Sequence, residues 1–448
     1  MSLNKKSKTR QLEVVRYALP AVFDELCTAL TTIVDSKMIS AVSVSCIAAV
    51  SVSTHPRLFI FALFSAVNIV IGSLTAFYFG RKDRDRANRL FITAAWAVLI
   101  LSVVTGLLSI VLAHPIIDVC SGQKDTRDMA VTYFRITAGC MIFNNMFLLM
   151  NSALRGLGRT TTALVADVIA NAVNILMNYL LIFGNCGFPA LGIAGAAWGT
   201  VIGTAMAMLF DIIILFRESY FISIGHIIRN KISFDRECLM EIYDKWKHTV
   251  VENILLRVGI LVSSSVTARI GSFETSIHSV CIQLVNISAA IGRGFQSAMV
   301  TLVGRSRGEN NTRAIRRYSV KTGIYSFITA VIAAVLMTVF AEPYCRLFSS
   351  DPAFIEGGIV ACLFSAGTAI IQIPRLAMTG FLQGMGRMQD TEKSAIISVA
   401  IVQTASSILF VLILKMGLEG AHIASLISHL VWFITTYAYY RASLPRDY

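Results

Sequence analysis

A chain of 448 residues that is 55% hydrophobic and only 15% charged is not a soluble domain, because soluble surfaces need polar cover and such domains carry about 25% charged residues. Its mean hydropathy of +0.68 suits side chains solvated by lipid. The net charge of +13 would fit nucleic acid, but the positions of the charges give it another meaning.

The N-terminus, MSLNKKSKTRQLEVV, is basic and polar. It lacks the apolar core and small-residue cleavage site of a secretion signal, so no cleaved leader is expected. Runs of about 20 apolar residues then predict membrane-crossing helices over 14–40, 46–79, 89–113, 129–154, 160–184, 191–216, 248–269, 275–303, 320–341, 355–381, 393–414 and 419–440. The clearest is Leu58 to Gly80, which contains no charge. The first and seventh spans carry charges within them.

Numbering the spans places KKSKTR (5–10), RKDRDRANR (81–89), Arg155 and Arg159, the 217–247 connection, RSRGENNTRAIRR (305–317) and RASLPRDY on one face. That face holds about 27 Lys and Arg against about 5 on the other. The positive-inside rule makes it cytoplasmic, with both termini inside. The basic runs are thus read as solvated cytoplasmic loops. No aromatic platform interleaves them, so no nucleic-acid partner is expected.

The 217–247 stretch is the longest hydrophilic segment and divides the spans six and six. The predicted organisation is a cytoplasmic tail (1–13), a first lobe (14–216), a cytoplasmic connection (217–247), a second lobe (248–440) and a cytoplasmic tail (441–448). The halves repeat each other. FGRKDRDRANR (79–89) echoes VGRSRGENNTRAIRR (303–317). MNSALRGLGR (150–159) echoes MTGFLQGMGR (378–387), and LGIAGAAWGT (191–200) echoes MGLEGAHIAS (416–425). Three anchors in one order, at nearly one offset, predict a duplicated bundle. An even number of spans per half gives both halves one orientation, related by an axis along the membrane normal. The fold class is therefore an all-α polytopic membrane protein of twelve helices in two six-helix lobes. Such repeats are typical of transporters that work by alternating access.

The contrasting class, an enzyme, finds little support. Carboxylates in the connection (Asp235, Glu237, Glu241, Asp244) are scattered, and no G-x-x-x-x-G-K-[ST] occurs. Nine cysteines stand singly without a C-x-x-C, which argues for packing rather than metal or disulfides. No cofactor and no transition metal are expected.

At the repeat anchors the chain resembles the multidrug and toxic compound extrusion (MATE) transporters, whose wider superfamily also holds lipid-linked oligosaccharide flippases. The resemblance runs through ALPAVFDELCTALTTIVDSKMI (18–39), the YFGRKDRDRANR loop, LRGLGRT (154–160) and NAVNILMNYLLIFGNCGFPALGIAGAAWGT (171–200). It continues in ENILLRVGILVSSSVTARIG (252–271), SAMVTLVGRSRG (297–308) and FLQGMGR (381–387). It implies two six-helix lobes in a V around a cavity, and antiport of Na+ or H+ against small organic compounds, often cationic. It further implies a monomer in the bacterial cytoplasmic membrane. The alternative is a flippase for a lipid-linked saccharide or other anionic lipid precursor.

Ionisable groups inside a bilayer are costly and mark function by default. Asp35, in TTIVDSKM, matches the family's acidic coupling residue on the first helix, and a carboxylate in such a cavity can trade a proton against a bound cation. Its other reading is a pair with Lys37. Asn174 and Asn178, four apart, share one helix face. Together with Thr200 they match the family's positions beside the cation, supplying amide and hydroxyl oxygens that suit a hard cation. Position 178 is Asn, where some members have Asp. Asp24 aligns with Glu252, and Arg257 is placed to neutralise Glu252. Arg293 lies deep in ISAAIGRGFQSAMV, facing a cavity or a carboxylate, where the family has an uncharged residue. Asp24, Glu252, Arg257 and Arg293 are the candidate lining of a substrate cavity. Arg57 and Arg375 raise the same question, and Pro20, Pro56 and Pro374 are candidate bends. The family's glycines after the first-helix acid are replaced by KMISAV. His248 or Thr249 stands in place of a usual proline. His278, His422 and His429, each alone in its span, are read as packed residues.

Overall fold

In lipid every backbone N–H and C=O must find its partner within the chain, and a helix does this within one segment. The computed structural model, which describes residues 2–120, 126–268 and 270–445, obeys that rule: among the described residues there are helices and no strand. Lys124 of the 121–125 stretch, Arg269, and Arg446 with the rest of the C-terminal run lie outside the described residues.

In chain order the helices are α1 (Ser2–Ser40), α2 (Val44–Arg81), α3 (Arg84–Val111), α4 (Ala113–Cys120), α5 (Arg127–Gly139), α6 (Met141–Gly156), α7 (Thr160–Phe183) and α8 (Ile193–Leu215). There follow α9 (Ile224–Arg229), α10 (Arg236–Ala268), α11 (Ser272–Gly308), α12 (Thr312–Val339), α13 (Ala341–Arg346) and α14 (Pro352–Gly384). Next, α15 (Met388–Ala395) runs on through π-helical turns, Ile396–Gln403 and Ile408–Ile413, with α16 (Thr404–Ser407) between them, and α17 (Gly417–Ser443) closes the chain. Ten helices among the described residues are long and apolar enough to cross a membrane, or eleven if α5 and α6, bent by 43°, count as one span. The seventh predicted span, 248–269, falls on α10, which is not among those eleven.

Packing divides the chain into a first unit, Leu26–Trp246, and a second unit, Met1–Glu25 with Lys247–Tyr448. The repeat seen in the sequence is realised in the turns of both. Lys82 (φ 59°) ends α2 and Asn310 (φ 52°) follows α11 in the same left-handed conformation. The next residue in each case caps the following helix: Asp83 accepts from the Arg86 N–H (3.0 Å) and Asn311 from the Ala314 N–H (3.0 Å). Gly158 (φ 77°) and Gly386 (φ 75°) turn the chain after α6 and α14, where a side chain would be strained. The helix crossings repeat as well. In the first unit Gly156 abuts the Gly72 carbonyl, and in the second Gly384 abuts the Val300 carbonyl.

The runs 81–89 and 217–247, expected to be solvated loops, pack on one another because arginines of the first meet acids and backbone carbonyls of the second. Arg86 reaches Asp235 (3.2 Å), Glu237 (3.4 Å) and Glu241 (3.8 Å). Arg84 donates to the carbonyls of Glu218 (2.7 Å), Tyr220 (3.0 Å) and Phe221 (3.2 Å). The Glu237 N–H donates to Asp235 (2.9 Å) and holds that carboxyl below the usual carboxylate range. Trp246 Nε1 donates to the Leu63 carbonyl (2.9 Å), tying the start of α10 to α2.

The contact that sets the candidate site is α7 against α8. Gly195, Gly199 and Gly203 recur every four residues along α8 and form one stripe. Small residues let membrane helices approach backbone to backbone. A Cβ at Gly203 would lie 2.6 Å from the Ala170 carbonyl, and one at Gly199 would collide with the Asn178 amide oxygen. Gly199→Val is expected to destabilise the protein by about 1–3 kcal/mol through overpacking, read as a lower melting temperature in detergent. Gly323→Ala, where an added methyl meets nothing, is expected to raise the melting temperature slightly, since a helix interior favours Ala over Gly.

Candidate functional site

Four residues predicted far apart in sequence meet in the first unit. Asp35 lies on α1, near its C-terminal end, and is half-buried. Asn178 on α7, 1% exposed, donates its amide N–H to Asp35 Oδ1 (2.8 Å). One turn earlier Asn174 stands between Asp35 and Thr200 of α8. Turned with its nitrogen towards Asp35, it donates to both carboxylate oxygens (2.9 and 3.2 Å) and its oxygen accepts from the Thr200 N–H (3.1 Å). The opposite orientation has the Asn174 nitrogen donating to Thr200 Oγ1 (3.2 Å).

The first orientation matches donors to acceptors throughout and suits an ionised carboxylate, which only accepts. Lys37, the other reading of Asp35, is exposed and makes no ion pair with Asp35 among the described residues. Asn178 Oδ1 is buried against Gly199 of α8 and takes no hydrogen bond from any described residue.

Thr200 has a second neighbourhood. With Arg57, Phe61, Thr137, Asn144 and Thr204 it lines a cavity of about 240 Å3 in the first unit.

The other predicted site residues lie in the second unit. Glu252 on α10 is buried and accepts from Thr391 Oγ1 (2.7 Å). Its counter-charge is not Arg257, as the sequence suggested, but Arg375 of α14. Five residues along a helix is about 140° round it, so Arg257 turns away from Glu252 and lies beside Arg293 instead. Arg375 is 3% exposed, and its guanidinium stacks 3.7 Å above the Trp432 ring. Arg293 pairs with Glu25 through Nε (2.9 Å) and Nη2 (2.8 Å). Asp24, next along α1, is buried.

Some groups escaped the sequence reading. His278 and His422, read as single residues, lie with ring centroids 5.6 Å apart and planes tilted by 40°, and His422 stacks on Phe364. His248 Nδ1 meets Glu392 Oε2 at 2.5 Å. Asp211, a lone acid in MLFDIIILF, is fully buried with neither oxygen hydrogen-bonded to a described residue. Nearby, Asp167 accepts from Asn151 (2.9 Å) and Arg155 (2.9 Å). Acids inside apolar runs were the available signal for Asp167 and Asp211.

The chain matches the MatE family model over residues 20–180 and 249–418. It is 26% identical over 422 residues to a protein of Thermotoga maritima named as a probable multidrug resistance protein, NorM, covering 92% of this chain and 88% of that one. It is 25% identical to the multidrug export protein MepA of Staphylococcus haemolyticus, over 89% of this chain and 84% of that one. Among solved structures it is similar to a MOP superfamily transporter from Pyrococcus furiosus, described as having a binding pocket of reverse polarity. That match has a TM-score of 0.90 at 19% identity, covering 97% of this chain and 96% of that one. A multidrug resistance MATE family transporter in an outward-facing conformation matches with a TM-score of 0.90 at 19% identity, over 98% and 97% of the two chains.

Removing one member of a buried charge pair leaves the other uncompensated, at a cost of about 3–5 kcal/mol. Arg375→Met is therefore expected to lower unfolding stability in detergent by that order, and adding Glu252→Gln to recover most of it. Equal stability of Arg375→Met and wild type would show that Arg375 is not the counter-charge.

Proposed function

This chain belongs to the MatE family, and we propose on that premise that it is an ion-coupled exporter of small organic molecules. The observation that carries the reading is the first-unit cluster: one carboxylate, Asp35, held by Asn178 and Asn174, with Thr200 shared between the cluster and a cavity. In this reading Asp35 exchanges a proton or a sodium ion as cargo binds and leaves. Asn178 and Asn174 hold the carboxylate in place, and their amide oxygens with the Thr200 hydroxyl complete the surroundings of a hard cation. The relatives named for multidrug resistance and export agree with the organic cargo.

The mechanism is alternating access of the two repeated halves, as duplicated transporters use it. An ion gradient is sufficient to drive it. One elementary charge moving through 100 mV releases about 2.3 kcal/mol, which at about 1.4 kcal/mol per tenfold supports a cargo gradient of roughly forty-fold. The proposed setting is a bacterial cytoplasmic membrane with both termini inside, since the basic runs lie on one face. A single chain suffices for this mechanism.

The test is efflux from drug-sensitive cells expressing wild type or Asp35→Asn, using fluorescent cations, zwitterions and anions, with sodium and pH varied separately. Wild type is expected to export at least one of the dyes. Asp35→Asn, which keeps the shape and loses the charge, is expected to lower that rate tenfold or more. The ion whose removal stops wild type is the coupling ion. Undiminished efflux by Asp35→Asn would remove Asp35 from the mechanism, and no efflux of any dye by wild type would count against export.

A further inference from the structure

The cavity beside the Asp35 cluster carries a charge that ion coupling does not use. Arg57, on α2 directly after Pro56, begins the uncharged stretch Leu58 to Gly80, and its half-buried side chain forms part of the cavity wall. It makes no hydrogen bond or ion pair with any described residue. No carboxylate lines the cavity. A guanidinium offers five N–H donors and cannot be deprotonated, and holding it partly out of water without a partner costs free energy. The amide of Asn144, half-buried on the same wall, likewise has no partner among the described residues. By contrast, the Thr137 and Thr204 hydroxyls are already used: Thr137 donates to the Tyr133 carbonyl (2.8 Å) and Thr204 to that of Val201 (3.0 Å). The wall therefore presents unused donors and one fixed positive charge, with apolar surface from Phe61 between them.

We propose that this cavity binds the anionic group of a small organic molecule, a carboxylate, sulfonate or phosphate, with Arg57 as its counter-charge and Asn144 as a second donor. The planar fork of arginine matches such groups in two parallel hydrogen bonds. At about 240 Å3 the cavity is near the small end of ligand pockets, so it suits one or two fused rings rather than a large amphiphile. The proposal rests on the export reading for one thing only: it names the charge of a group the cargo carries. Thr200 belongs to both the cavity wall and the Asp35 cluster, so a molecule seated there is linked to the Asp35 carboxylate through Thr200 and Asn174.

The test is calorimetric titration of the purified full chain in detergent with three probes that share their rings and differ in charge: naphthoate, naphthamide and naphthylmethylammonium. A charge-assisted pair outweighs a neutral hydrogen bond, so wild type is expected to bind naphthoate at least about tenfold more tightly than either other probe. Arg57→Gln is expected to abolish that preference, and Arg57→Lys, a point charge without the fork, to keep part of it. Asn144→Leu is expected to weaken naphthoate severalfold while leaving naphthamide less affected. The melting temperature of each variant shows whether it is folded, and Arg57→Lys with Asn144→Leu carries the comparison should Arg57→Gln melt early.

Naphthoate binding no tighter than naphthamide, no naphthoate binding at all, or undiminished binding by folded Arg57 variants would overturn the proposal. Displacement of naphthoate by dihexanoyl phosphatidylglycerol would assign the anion to a lipid headgroup, and its retention to a water-soluble molecule; both outcomes uphold an anion site. Binding is read here without a gradient, so its failure leaves the efflux result standing. A protein that binds naphthoate but exports nothing would refute export alone.

Discussion

The close approach of α7 to α8 is the contact on which the candidate site depends. Glycines at 195, 199 and 203 leave no side chains along one stripe of α8, and α7 fills that space with its own backbone and with Asn174 and Asn178. That distance lets Asn174 bridge from Asp35 to Thr200, while Asn178 holds Asp35 from the same face of α7. A carboxylate in a lipid-solvated bundle must be surrounded by donors or by a cation. Here the donors are amides, which can turn, rather than a fixed basic side chain.

The second unit repeats the turns and crossings of the first but not this chemistry. With the offset of 225 that relates LGIAGAAWGT to MGLEGAHIAS, Asn174 corresponds to Val399, Asn178 to Gln403 and Thr200 to Ser425. In the second unit Glu252 has Thr391 and Arg375, and Arg375 has the face of Trp432. Duplication preserved what the backbone requires, such as left-handed turns at Gly158 and Gly386. The side chains that handle charge have diverged. The units differ accordingly, one gathering amides and a hydroxyl around a carboxylate and the other setting a buried arginine against a buried glutamate.

Much of this was legible in the sequence, for reasons that are themselves physical. Lipid forces long apolar runs, so the helices could be placed, and the strained turns between them left recognisable glycines. Asn174 and Asn178 were grouped because a spacing of four puts them on one face, whereas Asp35 and Thr200 joined them only through the family resemblance. The partner of Glu252 was missed because Arg257 is close in sequence and Arg375 is not, and helical geometry favours the distant one. The acids of the 217–247 connection looked scattered, since what orders them is Arg86 in another part of the chain. His278 and His422 come together only through packing of separate helices. Arg57 was visible as a charge beside an apolar run, but its place on a cavity wall was not.

The most direct test of Asp35 as the exchange site is ion uptake by the purified protein in the absence of any organic ligand. Protons taken up as pH is lowered and radiolabelled sodium bound at fixed pH would be measured for wild type and Asp35→Asn. The account predicts that wild type binds an ion that Asp35→Asn does not, with protons displacing sodium if both compete for the carboxylate. Equal uptake by the two proteins would contradict it, and would move ion exchange to another buried acid.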